Sequence, residues 1–137
     1  MDRKGLQELS RVRLREAKAL LKVGMADGAY YLAGYAVECA LKACIAKETK
    51  RCEFPDKKRV DSSYSHNLDI LVKLAGLESN RAAYFKRSPE FRKNWDLLQS
   101  WSEESRYQRH SPQAAAALVA AVGDRVHGVI SWIKLYW

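Results

Sequence analysis

The stretch Ala29-Tyr30-Tyr31-Leu32-Ala33-Gly34-Tyr35-Ala36-Val37-Glu38-Cys39-Ala40-Leu41-Lys42-Ala43 carries only two charges, Glu38 and Lys42. At the helical period it has almost no polar face to turn toward water, so it predicts a buried central helix from Ala29 to about Lys47. Its small residues, Ala33, Gly34, Ala36, Ala40 and Ala43, would let neighbouring elements come close.

Before it, Leu6, Leu9, Ala17, Leu20 and Leu21 recur on one side of Leu6 to Val23 with Lys and Arg elsewhere, the pattern of an amphipathic helix. Gly24 and Gly28 frame a turn, Asp27 can cap the central helix, and a helical hairpin results. After the central helix, Glu48 to Ser63 has no apolar period. It gathers Lys50, Arg51, Lys57, Lys58 and Arg59 around Pro55, which reads as an exposed loop and as the best basic binding patch. Ser65 can open a short helix, His66 to Ala75, that Gly76 ends, and Asn80 to Lys86 can add another turn or two. Ser88-Pro89 and Ser111-Pro112 each pair a capping serine with proline at the first helical position. The first opens a helix with Phe91, Trp95, Leu98 and Trp101 inward. The second opens a last helix whose stripe runs through Ala115, Leu118, Val122, Val126, Val129, Ile130 and Ile133. No stretch alternates long enough for a strand, so one all-α domain, an up-and-down bundle of four to five helices, is expected over 1–137.

The chain holds 24 Lys+Arg against 16 Asp+Glu, a net charge of +8, which favours polyanions or acidic proteins as partners. Cys39, Cys44 and Cys52 are odd in number, and the first two fall on different faces of a helix, so neither a disulfide framework nor a zinc site is indicated. Met1 to Lys22 is charged throughout, unlike a signal peptide, and the charge-free runs are far too short for a membrane span; cytoplasmic residence without membrane contact is expected.

The central helix, with its small-aromatic opening and Glu-x-x-x-Lys centre, resembles the second helix of HEPN domains. Ser65-His66-Asn67-Leu68 with Leu71 is similar to that family's His-x-Leu helix, and Trp101 through Ser105-Arg106-Tyr107 to the element before its last helix. The resemblance implies a HEPN-like helical bundle. It also implies a choice of roles: metal-independent ribonuclease, toxin, partner of a nucleotidyltransferase in a toxin–antitoxin or defence pair, or inactive module.

HEPN ribonucleases carry Arg, four to six residues, then His at the start of the last helix. Here the nearest pair in that place, Arg106 and His110, has only Tyr107-Gln108-Arg109 between. Arg59 and His66 have the spacing but stand elsewhere in the chain. Without a phosphate loop, metal-ligand spacing or nucleophile elbow, no cofactor or metal is expected, and the chain leans away from catalysis. Two functions remain. One is a dimerising or partner-binding module with RNA or nucleotide contact through Lys50, Arg51, Lys57, Lys58 and Arg59. The other is a ribonuclease using Arg106 and His110. Arg106 is expected to fork onto a helix end or onto a carboxylate such as Glu103 or Glu104, with His110 at the surface.

Two polar residues fit poorly. Arg13 falls within the apolar face of the first helix and Glu38 interrupts the central one. A turn near residues 25 and 26 would set them abreast as an ion pair, the alternative being Glu38 with Lys42 at i,i+4. The last segment, with Ile130, Trp132, Ile133, Leu135, Tyr136 and Trp137, holds more apolar surface than one stripe can bury, so a homodimer is expected.

Overall fold

The computed structural model describes residues 1–51 and 57–137, the side chains of Lys50, Arg51 and Arg59 excepted. The described residues form α1 (Arg3–Lys22), α2 (Ala26–Arg51), α3 (Lys57–Ser63), α4 (Leu68–Leu74), α5 (Glu78–Arg87), α6 (Pro89–Leu98), a 3-10 turn (Glu103–Tyr107), α7 (Pro112–Gly123) and α8 (Val129–Ile133). An all-helical bundle is what the apolar periodicity predicts, cut into more pieces than four or five.

Helix α2 is the axis. Ala29, Ala33, Ala36, Val37, Ala40, Leu41, Ala43 and Cys44 are all buried, and the helix packs on α1, α4, α7, α8 and the 3-10 turn. With contacts on so many sides it has little use for a polar face. Helix α1 starts at Asp2, whose Oδ1 accepts the Gly5 N–H at 2.8 Å, and ends in a left-handed glycine, Gly24 at φ 81°. There the Met25 N–H reaches the Leu20 carbonyl at 2.9 Å and the Gly24 N–H reaches Leu21 at 3.2 Å, so the last carbonyls of the helix are satisfied as the chain reverses. Gly76, at φ 72°, closes α4 by the same pair of bonds, from Leu77 to Val72 and from Gly76 to Lys73.

Both serine–proline starts form as expected: Ser88 Oγ accepts the Phe91 N–H at 3.1 Å and Ser111 Oγ the Ala114 N–H at 3.0 Å. Asn67 rather than Ser65 caps α4, its Oδ1 accepting from Asp69 and Ile70, while Ser65 Oγ braces the Asn67 N–H.

Three expectations are corrected. Residues read as an exposed loop are partly helical: α2 continues to Arg51, and Lys57–Ser63 form α3. The last helix is not continuous. The Asp124 carboxylate accepts the N–H groups of His127 (2.7 Å) and Val126 (3.2 Å), which hold it below the usual carboxylate pKa range, and this competing local bonding ends α7. Val126, placed on the inner stripe, is exposed. A Cβ on Gly128 would lie 2.1 Å from the Asp124 carbonyl oxygen, so the tight return into α8 needs glycine there.

The break also corrects the homodimer argument. It folds the apolar tail back onto its own core: Ile130, Trp132 and Ile133 are buried, and the Trp132 ring lies 5.2 Å from Phe91 and 6.2 Å from Trp95. Arg3 donates to the Trp137 carbonyl at 2.6 Å and Arg11 covers the Trp137 ring at 4.9 Å. Leu135 alone of the large apolar tail residues is exposed, so a surplus of apolar surface no longer calls for a second copy.

Candidate functional site

Glu38 sits in the middle of the apolar axis with almost no exposure, 2 %. An ionised carboxylate there needs partners, and two converge on one oxygen: Lys42 Nζ donates to Oε1 at 3.0 Å and His66 Nδ1 at 2.8 Å. Lys42 comes from one turn further along α2, while His66 comes from the joint between α3 and α4. On the other side of the imidazole, Nε2 lies 3.4 Å from Glu103 Oε2 at the start of the 3-10 turn. With Nδ1–H given to Glu38, a neutral ring offers a lone pair at Nε2. A protonated ring can donate to both carboxylates at once.

The expected Arg13–Glu38 pair is not made. Arg13 donates instead to Glu16, at 2.8 and 3.0 Å, and its guanidinium stands 5.9 Å from the Tyr35 ring. The hairpin turns around Gly24, not 25 and 26, so the mirror position of residue 13 is 35. Ser10 Oγ, donating to the Ala36 carbonyl at 2.7 Å, lies within two residues of that register. The alternative pairing with Lys42 forms, with the difference that Glu38 is buried rather than on an exposed strip.

His66 and Glu103 stand at the rim of a cleft of about 330 Å³, with Asp69 and Gln99 beside them and Trp95 and Trp101 behind. Its lining residues include neither Lys nor Arg. Asp69 is held at 2.7 Å by Arg81, whose guanidinium also covers the Trp95 ring at 4.8 Å. Trp101 is pinned behind the cleft because it lies flat on Gly34: a Cβ on that glycine would fall 2.2 Å from the indole. Its Nε1 donates to the Tyr31 carbonyl at 3.1 Å. The small residues of α2 thus admit an indole as well as neighbouring helices.

The pair expected to carry any ribonuclease chemistry is arranged otherwise. Arg106, next to the end of the 3-10 turn, is exposed, its guanidinium 4.8 Å from the Tyr107 ring, and the neighbouring phenol raises its pKa above the usual arginine value. It does not fork onto Glu103 or Glu104; Glu103 faces His66 instead. His110 stacks on Tyr30, ring centroids 3.8 Å apart and planes 10° from parallel. Its Nε2–H donates to the Ser105 carbonyl at 3.1 Å, and its backbone N–H donates to Asp27 Oδ1 at 2.6 Å. Asp27, expected as a cap, lies within the first turn of α2 and holds this loop. Arg106 and His110 therefore do not share a helical face.

Of the five cations expected to bind, Lys57 and Lys58 are exposed on α3. The side chains of Lys50, Arg51 and Arg59 lie outside the described residues, as does Cys52. Cys39 and Cys44 are buried free thiols, pushed up by burial to about 11 and about 12. No helix among the described residues is long and apolar enough to cross a membrane.

Sequence reasoning flags Glu38 as a misfit and reaches His66 only as part of a motif. A buried carboxylate in an apolar helix signals that a cation must come to it. Which cation comes from another helix depends on how α3 and α4 fold over α2, and no local pattern records that.

The HEPN domain family model matches residues 7–134. No curated protein and no solved structure matches. The match takes in α2 with Glu38 and Lys42, the His66 joint and the 3-10 turn that Trp101 anchors, and the chain belongs to the HEPN domain family.

Proposed function

We propose that this chain is a HEPN binding module without ribonuclease activity of its own, and that RNA is the partner its net charge of +8 favours. The observation that carries this is the state of His110, the histidine nearest the family's catalytic place. Its ring is stacked on Tyr30, its Nε2 is engaged by a backbone carbonyl, and its own backbone is tied to Asp27. Moving a proton from a ribose hydroxyl requires an imidazole free to meet substrate beside a cation that holds the phosphate. His66 is better oriented, but the cleft beside it offers carboxylates and no Lys or Arg to a phosphodiester.

Finer forms of the same proposal are a nucleotidyltransferase-type protein as partner, in a toxin–antitoxin or defence pair, and a homodimer. Co-purification from the native cell and sedimentation at micromolar concentration test them. The decisive assay incubates wild type, Arg106→Ala and His110→Ala with single-stranded RNA in chelator and follows binding and cleavage together. Salt-sensitive binding without turnover is expected. Cleavage leaving 2′,3′-cyclic phosphate ends, lost in both variants, would overturn the proposal.

A further inference from the structure

Lys4, Arg11, Arg15, Lys18 and Lys22 of α1 are all exposed. At about 100° per residue their directions fall within about 60° of one another, and at about 1.5 Å rise per residue they span about 27 Å along the helix. One helix face thus carries a straight row of five cations. The carboxylate beside the row is Glu8, at its edge, and its contacts are long: 3.6 Å to Arg11 and 3.8 Å to Arg15, between exposed groups that water and salt readily separate. Glu16 points to a different side and is occupied by Arg13. Lys4, Lys18 and Lys22 make no ion pair among the described residues.

We propose that this row on α1 is a track for the phosphate backbone of single-stranded RNA, bound through its charges without reading its bases. The inference rests on RNA being the partner. Successive cations are separated along the helix axis by about 4.5 to 10.5 Å, steps that a flexible single strand can follow with its phosphates. A helix cannot enter the deep, narrow major groove of an RNA duplex, so a flexible single strand, which can bring successive phosphates to the row, is the form the row suits best. Stacking platforms are what give single-strand binders their grip on bases, and the row carries no aromatic residue. Trp137, at its edge, is already covered by Arg11. Charge contacts alone give affinity that is steep in salt and indifferent to sequence. The acidic cleft beside His66 offers a phosphate nothing comparable.

The test is fluorescence anisotropy of labelled single-stranded RNA, as poly-U and as a mixed sequence, across a salt series. The proteins are wild type, the triple variant Lys4→Gln/Lys18→Gln/Lys22→Gln, and a charge-matched triple, Lys73→Gln/Lys86→Gln/Lys93→Gln, all exposed positions whose folding circular dichroism verifies. With about 0.7 counterions released per phosphate contact, five contacts give a slope of log affinity against log salt near about −3.5, equal for the two RNAs, and the α1 triple should flatten it by about two. The charge-matched triple should leave the slope near the wild-type value. Equal flattening by both triples would show that only net charge matters and would overturn the track. A larger loss in Lys57→Gln/Lys58→Gln would move the surface to α3 and overturn it too, with RNA binding intact. Wild type that fails to bind RNA even at low salt overturns the RNA reading itself, and the track with it; binding to an acidic protein surface instead would do the same.

Discussion

His66 and His110 stand near the two ends of one 3-10 turn, and they are held by opposite means. His66 has a carboxylate at each ring nitrogen, Glu38 at 2.8 Å and Glu103 at 3.4 Å, and borders a cleft. His110 is held by a face-to-face stack on Tyr30 and by the Ser105 carbonyl. The first is an electrostatic joint between α2, the α3–α4 corner and the turn; the second is a packing joint between α2 and the lead-in to α7. The family's chemistry would be looked for at His110 because of its place in the chain. The polar machinery is at His66, because that is where the buried charge lies. Position in a motif and position in an electric environment are separate properties, and only the second is dictated by desolvation.

Trp101 anchors the start of the 3-10 turn that lies between the two joints, so the variant that unseats it should have the largest effect. Gly34→Val puts a branched side chain where even a Cβ would lie 2.2 Å from a buried indole, and should destabilise the domain by about 3 kcal/mol or more, read by urea unfolding. A loss under about 1 kcal/mol would mean that the indole can leave its seat without cost and that the turn is not pinned there.

Next is the electrostatic joint alone. Glu38→Ala leaves Lys42 and His66 without their acceptor, but both are partly exposed, at 21 % and 45 %, so water takes up some of the loss. A destabilisation of about 2 to 3 kcal/mol is expected, below the range for fully buried pairs. His66→Ala should cost about 1 kcal/mol, and a double-mutant cycle should return a coupling of similar size. Additive effects would show that the 2.8 Å contact contributes nothing.

How far the sequence reveals this depends on the range of each interaction. Caps, left-handed glycines and the all-round apolar α2 are local, and Ser88, Ser111, Gly76 and residues 29–47 are legible as such. Periodicity misses the α7–α8 break although Asp124 and Gly128 signal it, because the apolar stripe on both sides outweighs them. The partner inferred for Arg13 is off by three residues, a small error in the turn centre carried along two helices. Where Glu38 finds a histidine is beyond reach, since His66 lies 28 positions further along the chain and a helix start intervenes.

A smaller effect reports on Glu38 from next door. The Cys39 thiol is pushed up to about 11 from an ordinary value of 9.0, first by burial and then by the Glu38 carboxylate. A raised folded pKa means that this contribution to stability is full below pH 9.0 and is lost as pH climbs through about 11. Glu38→Gln should therefore bring the thiolate absorbance up at lower pH than in wild type, while a mutation at His110 should not. An unmoved titration would leave burial as the sole cause. At neutral pH the buried thiol should resist alkylating reagents in the native protein and react on unfolding.

The smallest change tests whether the second joint is packing or chemistry. His110→Phe keeps a flat ring over Tyr30 and leaves the backbone N–H free to reach Asp27, and it removes only the Nε2 bond to the Ser105 carbonyl. That carbonyl also accepts the Gln108 N–H at 3.2 Å, so it is not orphaned, and the cost should be about 0.5 to 1 kcal/mol. His110→Ala removes the stack as well, worth about 0.5 to 1.5 kcal/mol more. The expected order in thermal and urea unfolding is wild type, then Phe, then Ala, with RNA binding unchanged along the series. A histidine serving as a base would give a different ladder: Phe and Ala would lose cleavage equally, because neither carries a proton, whatever their stabilities. If Phe and Ala unfold alike while wild type cleaves RNA, the ring is held for its nitrogen and not for its face, and the contrast with His66 collapses.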